Sequence, residues 1–382
     1  MSLPAVTKFF RHHAPFVLRT EESLPEFTLA YETYGTLNED GSNAILLFHA
    51  LTGSQHAAGL NTSVEGVGDR WTSECHVGWW DLFIGPRRAL DTDKYFVICA
   101  NFLGGCYGST GPSSINPLTG KTYGGKFPTL RFADIVDAQL LLVDHLGISR
   151  LHAVVGSSVG GIMALSLATR YPDRVKNIIS IGSGYQTAMP QRILNFEQIF
   201  AIESDPNFNS GNYPADAPPD QGLALARMIG HKTFVSLHTL EQRAQSQIRN
   251  QEDNLSWYEL RNGVESYMLH QGRKFVKRFD ANTYLRILDA WQWFDLLREA
   301  EVESHEELFS RCRDQRYLIF SIDSDVCFYP AEQAALEKIL TDNQVPNTHI
   351  TVHSEKGHDS FLLEPLLFYP HLAYALEGGW GF

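Results

Sequence analysis

Basic residues are scarce in this chain: 31 lysines and arginines stand against 44 aspartates and glutamates in 382 residues, a formal net charge of −13. Binding a nucleic acid needs a basic face that displaces counterions from phosphate, so the balance argues against that partner. It leaves room for a polyanionic cosubstrate at a local patch such as Arg87-Arg88. Cysteine is also sparse. The five (Cys75, Cys99, Cys106, Cys312 and Cys327) are odd in number, scattered, and form no C-x-x-C pair, so neither a disulfide framework nor a zinc knuckle is expected. No H-E-x-x-H or comparable cluster suggests a catalytic metal. No apolar run approaches the ~18 residues that cross a bilayer, so no membrane partner is expected. The start, Met1-Ser2-Leu3-Pro4 running into Arg11-His12-His13, lacks the apolar region of a signal peptide, which sets the expectation of a cytoplasmic protein.

The remainder has the make-up of a globular enzyme. Apolar residues reach 43% of the chain, enough for a large core in one elaborated domain or two. Strand-like runs recur at 28–34, 44–48, 95–100, 151–155, 177–181, 317–322 and 349–353. Several are apolar throughout, as strands covered on both faces are. Helical spacing of apolar residues falls between them at 132–146, 162–170, 331–340 and 366–376. This alternation predicts an α/β fold, a mainly parallel sheet flanked by helices. It lapses over residues 186–301, which are rich in helix-like segments and aromatics (Trp257, Tyr258, Trp291, Trp293), and resumes afterwards. We therefore expect a core built from residues 1–185 and 302–382, with 186–301 as a helical lid inserted over the carboxyl edge of the sheet.

The most telling motif is Gly156-Ser157-Ser158-Val159-Gly160. A G-x-S-x-G sequence between a buried strand and a helix reads as a nucleophile elbow, in which small neighbours allow a sharp turn and leave the Ser158 hydroxyl at the helix N-terminus. A serine hydroxyl is a poor nucleophile at neutral pH and needs an imidazole oriented by a carboxylate. After such an elbow the acid and then the histidine follow in chain order. His358, in Lys356-Gly357-His358-Asp359, lies just past a strand-like run, and Asp323 and Asp325 compete for the acid past another. The N–H of Val159 would form half of an oxyanion hole, and Leu51, in His49-Ala50-Leu51-Thr52-Gly53 after the apolar strand 44–48, is the expected second donor. Two rival motifs fail. Cys106, in Gly104-Gly105-Cys106-Tyr107-Gly108, has no strand-turn-helix context, and Gly120-Lys121-Thr122 lacks the earlier glycine of a phosphate loop, having Ile115 there.

Beyond the elbow, the stretches Ala30 to Asn38, His49 to Gly53, Gly104 to Cys106 with Gly111 to Pro117, Phe279-Asp280-Ala281-Asn282 and Gly357 to Leu362 together resemble the homoserine O-acyltransferase family, over nearly the entire chain. The resemblance implies an α/β-hydrolase core with a helical lid, assembled as a homodimer through that lid. It implies acyl transfer from acyl-CoA to the hydroxyl of homoserine, early in methionine synthesis, with no permanently bound cofactor. By motif it assigns the triad to Ser158, Asp325 and His358, and it assigns Arg227 and Asp359 to the carboxylate and ammonium of the amino acid, a pairing that suits both charges. The chain departs from the family pattern at Ser157, Met163 and Tyr107, and in Asp325-Val326-Cys327-Phe328. In the family an arginine at the position of Cys327 goes with succinyl-CoA and a leucine with acetyl-CoA, so the uncharged Cys327 favours acetyl-CoA. An esterase would share the triad and use water as acceptor. Serine could replace homoserine, and a binding module would have kept the fold without need of a triad.

Overall fold

The computed structural model describes residues 4–245 and 255–379. Its centre is an eight-stranded sheet of β1 (Lys8–His12), β2 (Phe27–Tyr34), β3 (Ala44–Phe48), β4 (Phe96–Ala100), β5 (Leu151–Ser157), β6 (Val175–Ile181), β7 (Arg316–Ile322) and β8 (Asn347–Val352). The spatial order is β1-β2-β4-β3-β5-β6-β7-β8. The β1–β2 and β2–β4 pairs are antiparallel and every later pair is parallel. Both faces of the sheet are covered, which is why β3 and β4 are apolar at every position and β5 and β6 over most of theirs. Leu46, Phe48, Val154 and Ile178 point into one apolar layer, and Ile45, Leu47, Val155 and Ile179 into the other.

Helices α1 (Phe132–His145) and α2 (Val159–Arg170) connect core strands. Between β6 and β7 the chain turns helical: α3 (Met189–Glu203), α4 (Asp220–Phe234), α5 (Leu237–Gln245), α6 (Gly263–Val276), α7 (Ala281–Gln292), α8 (Leu296–Glu299) and α9 (His305–Ser310). The core then closes with α10 (Pro330–Asp342), α11 (Ser360–Leu363) and α12 (Pro365–Leu376). Among the described residues no helix is long and apolar enough to cross a membrane.

Two elements differ from the sequence expectation. Helix α2 begins at Val159 rather than at Ile162, because Gly160 and Gly161 serve close packing, not a turn. A Cβ on Gly160 would lie 2.3 Å from the Phe48 carbonyl oxygen, so the helix start lies hard against the end of β3. The edge strand β1, Lys-Phe-Phe-Arg-His, was not expected, since its exposed Lys8 and Arg11 interrupt the apolar run.

Candidate active site

The loops that leave the carboxyl ends of β3, β5, β7 and β8 meet over the sheet, the usual ligand position in parallel α/β folds. Ser158 follows β5 with φ 57° and ψ −130°, a conformation that a non-glycine residue adopts only under constraint. The constraint is visible. Ser158 N–H donates to the Ile181 carbonyl at 2.9 Å, and a Cβ on Gly156 would sit 2.1 Å from the Gly160 oxygen, so only glycine allows the turn. Val159 is the first residue of α2, where a helix leaves its N–H without an intrahelical acceptor.

His358 stands in a short turn, Gly357–Asp359, after β8. Its Nδ1 is 2.6 Å from Asp325 Oδ2, and Asp325 Oδ1 accepts from the N–H groups of Cys327 (2.7 Å) and Phe328 (2.9 Å). The competing carboxylate, Asp323, is turned away and holds His353 Nδ1 at 2.9 Å. Phe328 stacks on the imidazole at 5.5 Å between ring centres and Phe361 meets its edge at 5.3 Å. Burial alone would lower the His358 pKa; the charge and hydrogen bond of Asp325, with the charge of Asp359, outweigh it and raise the value above 6.5. His358 Nε2 is buried and has no hydrogen-bond partner among the described residues, so the bond to Ser158 is not made in this conformation. Catalytic hydrogen bonds of this kind are commonly long before substrate arrives.

Ser158 and His358 border one cavity of about 250 Å³, together with Leu51, Arg227, Phe234, Arg278 and Asp359. Arg227 lies on α4 over the rings of Phe275 (5.0 Å) and Phe234 (5.4 Å). Burial, and then the charge of Arg278, lower its pKa; the Asp359 charge works in the other direction. Asp359 has its pKa raised by burial, against the pull of His358, Arg227 and Arg243. Cys327 is 1% exposed and does not border the cavity. Among the described residues no three His, Cys, Asp or Glu side chains are grouped so as to hold a metal ion.

Arg278 escaped the sequence reading. Its Nη1 donates to the Thr52 carbonyl (3.2 Å) and to Tyr107 Oη (3.0 Å), and Tyr107 Oη donates to the Arg278 carbonyl (2.8 Å). The only trace was its place next to the Phe279-Asp280-Ala281-Asn282 motif.

Fold and elbow together define an α/β hydrolase, and the family model described as "alpha/beta hydrolase fold" matches residues 43–365. At the next level of detail the chain belongs to the homoserine O-acetyltransferase family. It is 45% identical over 361 residues to a homoserine O-acetyltransferase of Methanohalobium evestigatum, covering 94% of this chain and 70% of the relative. Among solved structures, the homoserine O-acetyltransferase of Bacillus anthracis superposes with a TM-score of 0.87 at 27% identity, over 98% of both chains. Esterase E22 superposes with a TM-score of 0.86 at 26% identity, over 98% of this chain and all of that one. The protein is thus an enzyme of the acyltransferase class.

Proposed function

We propose that the protein moves an acetyl group from acetyl-CoA to the side-chain hydroxyl of L-homoserine by a ping-pong route. The observation that carries this reading is the Asp325–His358 hydrogen bond, with Nε2 unpartnered among the described residues, beside a cavity that Ser158, His358, Arg227 and Asp359 border. His358 Nε2 takes the Ser158 proton as Oγ bonds to the thioester carbon. The N–H groups of Leu51 and Val159 hold the oxyanion, and the C–S bond breaks as Nε2–H protonates the departing thiolate. Homoserine then enters with its carboxylate on Arg227 and its ammonium on Asp359. Its hydroxyl gives its proton to Nε2 and attacks the acyl carbon; the acyl–Oγ bond then breaks as Nε2–H returns the proton to Ser158 Oγ, which restores the free serine and the neutral imidazole. Acetyl as the acyl group is supported by the name of the 45%-identical relative, a homoserine O-acetyltransferase. The product has the chemistry of an early step toward methionine.

A second reading has an observation of its own. Esterase E22 shares the fold at 26% identity, and an esterase needs only water as acceptor. Thiol release from acetyl-CoA, measured with and without homoserine, separates the two. Turnover that depends on homoserine is expected, whereas homoserine-independent turnover at a comparable rate would overturn the transferase reading.

The assembly we propose is a homodimer through α3. That helix turns Met189, Ile193, Phe196 and Phe200 to solvent at 54–68% exposure, one apolar stripe at helical spacing.

A further inference from the structure

The loop that carries Leu51 is held by a chain of hydrogen bonds from outside the triad. Tyr107 N–H donates to Asn101 Oδ1 at 3.2 Å, which fixes the orientation of the Asn101 amide and leaves its Nδ2–H pointing at His49 Nε2, 3.4 Å away. His49 Nε2 is therefore the accepting nitrogen and Nδ1 carries the proton. That Nδ1–H donates to the Ala50 carbonyl at 2.7 Å, and the same oxygen accepts from Gly53 N–H at 2.9 Å. The ring itself is 1% exposed and stacked on Phe102 with ring centres 3.5 Å apart. Ala50, Leu51 and Thr52 border the cavity and His49 does not, so the imidazole lies on the core side of the loop. In a trans peptide the C=O and the following N–H point in opposite directions. Drawing the Ala50 carbonyl inward thus turns the Leu51 N–H outward.

We propose that His49 is a positioning residue for the oxyanion hole: its Nδ1–H holds the Ala50 carbonyl and so aims the Leu51 N–H at the carbonyl oxygen of a substrate attacked by Ser158. This rests on the reading of Ser158 as nucleophile. Burial lowers the His49 pKa to about 3, so the ring stays neutral and its tautomer unchanged over the range in which such an enzyme works. The space around it is closed as well. A Cβ on Gly53 would lie 2.9 Å from His49 Cβ, and one on Gly105 would lie 2.3 Å from Asn101 Oδ1, so both glycines keep room for the relay.

The test uses the fact that asparagine Nδ2 occupies the place of histidine Nδ1, whereas glutamine Nε2 occupies the place of histidine Nε2. His49→Asn keeps the donor to Ala50 and His49→Gln loses it. Acylation by p-nitrophenyl acetate is followed in the pre-steady state, alongside the homoserine KM and the melting temperature. His49→Gln should slow acylation about tenfold to a hundredfold, less than outright loss of an oxyanion donor. It should leave the homoserine KM within about twofold, and His49→Asn should acylate within about threefold of the parent. A folded His49→Gln at the parental rate, or a His49→Asn as slow as His49→Gln, overturns the proposal. If neither variant folds, the parent protein decides. Nitrogen-15 spectra of its histidines, with His49 assigned by specific labelling, should show a single Nδ1–H tautomer from pH 5 to 9, and the Nε2–H form would overturn the assignment. Ser158→Ala run in parallel separates the two readings: acylation that survives it sinks the nucleophile and this role with it, while its loss beside an unaffected His49→Gln sinks the positioning role alone.

Discussion

His358 and Asp359 are sequence neighbours with opposed demands, and the site's pH behaviour follows from that. In the proposed scheme His358 is the base and works in its neutral form, so activity should rise with pH through its pKa, which the Asp325 and Asp359 charges raise. Removing the Asp359 charge removes part of that upward push. Asp359→Asn should therefore move the acid limb of kcat/KM for p-nitrophenyl acetate to lower pH, an assay that needs no amino-acid acceptor. An unmoved limb would show that Asp359 has no electrostatic hold on the imidazole. Arg227 touches the acceptor alone in this scheme. Arg227→Ala should raise the homoserine KM by about a hundredfold or more while p-nitrophenyl acetate acylation changes little, and equal losses in both would deny it that role. At this scale the sequence was informative where a motif carried the residue. The elbow marked Ser158, and the family pattern chose Asp325, whose carboxylate the structure places on His358 while Asp323 faces His353. Arg278 and the relay through His49 were not legible. An isolated arginine carries no pattern, and the His49–Asn101 contact joins residues 52 positions apart.

Among the elements, the sheet was readable because strands covered on both faces are apolar over most of their length. The run 44–48 coincides with β3, and the other expected runs differ from their strands by a few residues at the ends. The edge strand β1 has no such requirement and left no signal. Between elements, a buried acid sets a measurable stability term. Glu299, at the end of α8, accepts from Ala133 N–H at the start of α1 (3.0 Å) and from Ser166 Oγ on α2 (2.5 Å), and burial raises its pKa to about 7. A carboxyl whose folded pKa exceeds its unfolded one binds its proton more tightly when folded. Its contribution is thus fully present below the ordinary carboxylate range and is lost as pH rises toward 7. Glu299→Gln keeps a carbonyl oxygen for Ala133 and removes the titration. Its melting temperature relative to the parent should improve by about 2–4 °C between pH 5 and pH 8. An offset between the two proteins that does not change with pH would mean that Glu299 does not titrate in this range.

For the whole molecule, the question is what covers the outer face of α3. Its inner face is fully used: Gln191, Leu194, Asn195, Gln198, Ala201 and Ile202 are buried against the helices beside it. Its outer face repeats Met189, Ile193, Phe196 and Phe200 at spacings of four, three and four, with the two phenylalanine rings stacked at 6.2 Å. Leaving four large apolar side chains in water costs about 1–2 kcal/mol each relative to burying them, enough to drive association once a complementary surface is met. A second copy offers that surface at no further demand on sequence, because a stripe along one helix can pack against itself across a two-fold axis. The helical segment would then both line the cavity, through Arg227 and Phe234 of α4, and join the subunits through α3. Phe196→Asp combined with Phe200→Asp should turn a dimer into a monomer in light scattering at micromolar concentration. Acylation by p-nitrophenyl acetate should persist, since neither ring borders the cavity. A parent protein already monomeric at that concentration, or a double variant that remains dimeric, would place the contact elsewhere or remove it.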